Sequence, residues 1–159
     1  QPILILGVLF HFIMGFVLEF QNKSARPVKY EMKNDQGNSS WLSRNMIYSG
    51  LVILAFLGLH FYDFWLPEIQ YKYIEFQAPD EHRYFAELVH KFENPTRVGF
   101  YAVSFILLMM HLLHGFQSAF QSLGVNNKFT PGIKKTAWAF SVVVPLAFVF
   151  IALFHHFNH

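Results

Sequence analysis

Two histidines, His11 and His114, each lie within an apolar stretch long enough to cross a bilayer, and a third, His60, lies in another. An imidazole in hydrocarbon is costly, so it faces a bundle interior and has a partner or a task. For paired histidines on facing helices, the leading chemistry is axial ligation of a haem iron. Depth selects the pair. At about 1.5 Å per residue, His11 stands about 13 Å from the end of its stretch near Phe20, and His114 about 13 Å from the end near Leu123. His111 would stand about 4–5 Å further out. It reads as a neighbour of the haem, a propionate contact, or a packed ring bonded to a backbone carbonyl.

The surroundings of each ring sharpen the choice. Gly7 and Gly15 flank His11 in the pattern G-x-x-x-H-x-x-x-G. Residues four apart share a helix face, so the ring projects from a face with no side chain one turn above or below, the clearance a flat macrocycle needs. The plainer alternative is a small-residue packing seam, which does not explain the imidazole. His114, Gln117, Ser118 and Gln121 form a polar stripe on one face. It suits either hydrogen bonding between helices or a wall for haem propionates or a quinone. His60 is followed by Tyr62, Asp63, Phe64 and Trp65, a cluster like an interfacial aromatic belt. It is a third candidate iron ligand, near the outer end of its span, with no well-placed partner on the other spans. Asp63 shares its face. It could orient an imidazole, touch a propionate or handle quinone protons, but an interfacial carboxylate in water is the preferred reading. His155 and His156 are expected to be wet at the outer end of the last span. His82, His90 and the terminal His159 are expected to be solvated or interfacial.

The elements that must position these rings are read from composition. Apolar residues make up 53% of the chain, aromatics 19% and charged residues 14%, a membrane composition. There is no Cys, which excludes iron–sulfur ligation by this chain and covalent haem attachment through C-x-x-C-H. Any haem is therefore held non-covalently. The chain opens on Gln-Pro and enters an apolar run without a basic leader, so it reads as starting partway through a protein rather than with a signal peptide. Four spans are expected at residues 2–20, 45–66, 98–123 and 133–157, with Pro145 kinking the last. The connectors 21–44 and 124–135 carry excess Lys and Arg, while 67–97 holds more acid than base. The first and third connectors are thus expected on the cytoplasmic side and the second outside. Within the second, Tyr84, Phe85, Leu88, Val89 and Phe92 share one face of a short surface helix expected over Asp80–Phe92.

Three strings resemble a known family. MHLLHGFQSAFQSLG at Met110–Gly124 is similar to the fourth helix of the five-helix, two-haem cytochrome b subunit of succinate dehydrogenase and fumarate reductase, with the L-H-G ligand at His114. FHFIMGFVLEFQNKSARPVKY at Phe10–Tyr30 resembles the second helix and its basic loop, with the ligand at His11. SRNMIYSGLVILAFLGLHFYDFW at Ser43–Trp65 resembles the third, with the ligand at His60. The resemblance covers essentially the whole chain. It implies an all-α integral membrane helical bundle, one haem-binding domain over residues 1–159 holding four spans of the family's five. It implies two haem b groups: a proximal one between His11 and His114, and a distal one held by His60 and a ligand on the family's first helix, which this sequence lacks. It also implies flavoprotein and iron–sulfur partner subunits on the cytoplasmic side of a bacterial inner membrane, surrounding lipid, and electron exchange with menaquinone or another quinone. A dimer of heterotrimers is a further expectation, and no nucleic-acid partner is expected. The rivals are the cytochrome b subunit of a formate dehydrogenase or hydrogenase, and a haem-free transporter or anchor.

Overall fold

The computed structural model describes residues 2–25, 45–78, 80, 82–124 and 127–158, and among these there are helices and no strand. Four helices are long and apolar enough to cross a membrane: α1 (Pro2–Ser24), α2 (Met46–Ile74), α4 (Pro95–Ser122) and α5 (Thr130–Phe157). A shorter helix, α3 (Arg83–Phe92), lies between α2 and α4 in the chain. The protein is all-α. Helices are what such apolar runs must form, because hydrocarbon offers the backbone no other hydrogen-bond partners. At about 1.5 Å per residue, a 28-residue helix such as α4 is about 42 Å long, longer than a hydrocarbon layer of about 30 Å. That length is enough to cross such a layer. Most of the basic residues of the first connector, with Glu81 and His159, lie outside the described residues.

The chain divides into two compact units, Gln1–Gly50 and Leu51–His159. In the first, α1 runs one turn beyond the expected end at Phe20. Polar residues at its end still favour the helix, and Lys23 pairs with Glu19 at 3.0 Å across that added turn.

The second unit holds an aromatic core. Phe56 of α2, Phe92 of α3, Val98, Tyr101 and Phe105 of α4, and Ala152 of α5 are buried together. Leu57, Leu59, Phe64, Leu88, Leu108 and Val149 pack around them. Phe105 stacks on Phe148 of α5 at 5.3 Å, and Phe116 meets Phe140 edge-on at 6.1 Å. Close packing of this kind holds membrane helices together where the hydrophobic effect no longer acts between them. Asn94 starts α4 by accepting from the Thr96 and Arg97 amides, with Pro95 behind it. Gly124, at a φ of 60°, ends α4 in the left-handed conformation that suits glycine. The α5 helix runs on through Pro145. The proline leaves the Ser141 carbonyl without its usual amide, and membrane helices tolerate such a gap.

The α2 helix departs most from expectation. It does not stop at Leu66 but continues to Ile74 through two wide π turns, Phe61–Trp65 and Gln70–Ile74. Pro67 supplies the reason for the first. Proline has no N–H for the carbonyl four residues back, here that of Asp63, and its ring collides with it. Widening the preceding turn, with the Leu66 amide reaching back to the Phe61 carbonyl, keeps the helix going without a break.

The extension beyond Pro67 is clamped to α3. Glu68 takes ion pairs from Lys72 and Arg83 and a hydrogen bond from the Tyr84 hydroxyl at 2.9 Å. Arg83 also pairs with Glu87 at 2.9 Å and lies over the Tyr71 ring at 4.0 Å. Burial works against the Arg83 charge, but Glu87, Tyr84 and Glu68 outweigh it and raise its pKa above the ordinary arginine value. The short helix expected over Asp80–Phe92 is present as α3, and its apolar face is divided. Phe92 is buried and Leu88 packs on the core, whereas Tyr84 and Phe85 are exposed.

Candidate functional site

The clearest candidate site in the second unit surrounds His60. Phe56 and Phe64 stand one turn before and one turn after it on α2. The imidazole stacks on Phe56 at 5.7 Å and meets Phe64 at 5.3 Å. From α4, Tyr101 comes within 6.5 Å, ring to ring. The His60 Nδ1 atom is buried and has no hydrogen-bond partner among the described residues. An imidazole nitrogen enclosed by flat rings without a protein partner is an uncommon arrangement, since buried polar atoms are nearly always satisfied.

Asp63 corrects the sequence reading. It is not a carboxylate in water: its exposure is 0%. Its Oδ2 accepts from the Tyr101 hydroxyl at 3.1 Å and pairs with Arg97 Nε at 3.1 Å. Lys91 Nζ lies 3.8 Å from Oδ1, an oxygen that is buried without a hydrogen bond. A lone buried carboxylate is strongly disfavoured, so these three residues are the condition for its burial. Arg97 and Tyr101 are four apart on α4 and share a face. That spacing is legible in sequence, but its relation to Asp63, 38 residues before Tyr101, is not. Lys91, Arg97 and Tyr101 are the residues that sequence reasoning missed.

The other candidates are placed as follows. In the first unit, His11 is exposed on α1 and meets the Phe12 ring edge-on at 6.0 Å. A Cβ at Gly7 or Gly15 would meet no described atom within 4 Å. In the second unit, His111 and His114 are half-buried on α4, and Gln117 and Ser118 are exposed. The polar stripe forms no hydrogen bond to another helix through Gln117, Ser118 or Gln121 among the described residues; Ser122 Oγ donates to the Ser118 carbonyl at 3.0 Å, within α4 itself. His82 and His90 are exposed, as expected.

No protein-family model matches the chain, and neither a curated protein nor a solved structure does.

His155 and His156 are less open than the sequence suggested. Both are half-buried. His156 Nδ1 lies 2.8 Å from the Phe92 carbonyl, and His155 meets the Phe85 ring at 5.5 Å. They fasten the end of α5 to α3, and their backbone and ring partners account for them structurally. The His60 Nδ1 atom differs in having no hydrogen-bond partner among the described residues.

The residues at His60 fit a flat metallo-macrocycle. A metal held by His60 through Nε2 would leave Nδ1 to the aromatic rings packed on it. The aromatic side chains around it match the apolar faces of a porphyrin.

Proposed function

We propose that this chain is the di-haem cytochrome b membrane anchor of a succinate:quinone oxidoreductase, seated in the inner membrane of a bacterium. One observation carries the reading. Of the imidazoles on the membrane-length helices, His11, His60 and His114 stand on three separate ones, and His60, packed among aromatic rings, has a buried nitrogen that no described protein atom satisfies. An ionisable side chain at such a position is a functional group by default.

In this reading His11 and His114 hold the inner haem, and His60 is one ligand of the outer haem. Each haem, when bound, supplies one-electron transfer between the iron–sulfur subunit and a membrane quinone, menaquinone being the expected one. The chain's residues do the rest. Two imidazoles on one iron leave no open position for oxygen or substrate. Phe56, Phe64 and Tyr101 keep the surroundings of His60 apolar, which favours electron transfer with little solvent reorganisation. With no Cys in the sequence, this chain would hold haem without a thioether link. The basic connectors would dock the iron–sulfur and flavoprotein subunits by charge.

The test is a reduced-minus-oxidised spectrum of the intact membrane complex, with identification of the co-purifying subunits. The expected result is a b-type α-band and a flavin-containing partner that interconverts succinate and fumarate. A complex without the band refutes haem binding and favours a transporter or simple anchor. A molybdenum or nickel partner with the band present assigns the chain to a formate dehydrogenase or hydrogenase instead.

A further inference from the structure

We propose that Asp63, acting through Tyr101, sets the plane of the His60 imidazole and is thus a positioning residue for the haem that His60 would hold. The inference rests on the reading of His60 as an iron ligand.

A histidine on a helix has few choices at χ1, but its ring torsion is broad. Its backbone therefore does not fix the ring plane. In most metal sites a hydrogen bond from the second ring nitrogen to a carboxylate or carbonyl does so. Among the described residues His60 has no such bond: its Nδ1 is buried without a partner. Contacts with rings must do that work. Phe56 and Phe64 belong to the same helix as His60 and move with it. Tyr101 is the ring that reaches His60 from another helix, so it ties the imidazole plane to the rest of the core.

Tyr101 is itself held at both ends. Its ring, 2% exposed, is enclosed by Phe56 at 5.2 Å, Phe92 at 5.3 Å and Phe105 at 6.0 Å. Its hydroxyl is committed to Asp63 Oδ2 at 3.1 Å, and that oxygen is anchored in turn by Arg97 at 3.1 Å. The hydroxyl proton is therefore not available to His60. The route runs from Arg97 to Asp63, from Asp63 to Tyr101, and from Tyr101 to the imidazole. The wide turn at Phe61–Trp65 belongs to this device, because it sets where Asp63 points relative to His60. A steric clamp, locked remotely by a buried carboxylate, takes the place of the usual hydrogen bond at the ring nitrogen. It also gives the buried charge a purpose beyond stability.

The angle between the two axial ligand planes of a low-spin haem governs the spread of its g values. The experiment is electron paramagnetic resonance and redox titration of the oxidised intact complex, in wild type, Tyr101→Phe and Asp63→Asn. Both variants keep the side-chain shape. Tyr101→Phe removes one hydroxyl, and Asp63→Asn removes the charge but keeps an acceptor. The expected result is a shifted or broadened largest g value for the His60 haem in both variants. Haem content should be unchanged, and the signal of the other haem should be undisturbed as an internal control of folding. Wild-type g values at both haems in both variants would overturn the inference and leave the cytochrome reading intact. A wild-type complex with no haem at all would instead overturn that reading.

Discussion

Removing the Arg97 guanidinium should destabilise the protein more than removing the whole ion pair to which it belongs. Asp63 is 0% exposed and Arg97 Nε lies 3.1 Å from its Oδ2. In Arg97→Met the carboxylate keeps the Tyr101 hydroxyl, and Lys91 remains at 3.8 Å without a hydrogen bond. Stranding one partner of a buried pair costs about 3–5 kcal/mol. Arg97 is about a quarter exposed and Lys91 still contributes its field, so the lower end, about 3 kcal/mol, is expected. The double variant Asp63→Leu/Arg97→Met has no stranded charge on this pair. It leaves the Tyr101 hydroxyl unsatisfied, at about 1–2 kcal/mol, and Lys91, about a quarter exposed and able to reach water, without its counter-charge. At about 2–4 °C per kcal/mol for a chain of this length, the single variant should lose about 6–12 °C in melting temperature and the double about half as much. The assay is thermal unfolding of the detergent-extracted protein, followed by tryptophan fluorescence. A double variant that melts at or below the single variant would refute the argument that the carboxylate is the costly group.

His114→Ala should abolish the inner haem and His111→Ala should leave a normal low-spin spectrum; the reverse outcome in difference spectra would exchange their roles. Pro67→Ala should lower the melting temperature, although removing a proline from a helix usually raises it. The restored amide at position 67 would draw the wide turn toward α-helical register and swing Asp63 off Arg97 and Tyr101. A higher melting temperature would show that the turn does not depend on the proline. Glu68→Gln should loosen the clamp between the α2 extension and α3 with a small loss of stability, because the pairs are partly solvated. Faster amide exchange over residues 66–78 would register it, whereas exchange unchanged from wild type would assign the clamp elsewhere.

Much of the fold could be read from hydropathy alone. Four runs of apolar residues near or above twenty in length are read as four spans, and each is a helix in the structure. The short α3 helix was legible from the four-residue recurrence of Tyr84, Leu88 and Phe92. The end of α2 was not. Pro67 reads locally as a helix stop, and the wide turn that absorbs it depends on hydrogen bonds five residues apart, a pattern with no sequence signature of its own. His60 was legible as a candidate because any imidazole in an apolar run is. Its missing Nδ1 partner was not, because a lack of neighbours can be seen only when all the neighbours are in place.

The sequence by itself determined that this is a helical, membrane-length chain with imidazoles where water is scarce, because apolar length and side-chain type act locally and need no partner to be interpreted. The tertiary structure alone decided the state of Asp63. Beside Tyr62, Phe64 and Trp65 it reads as a surface carboxylate. Burial becomes tolerable only when Lys91, Arg97 and Tyr101 arrive from other helices. The free energy of a charge is set by what surrounds it in space, and those surroundings come from residues 28 to 38 positions further along the chain.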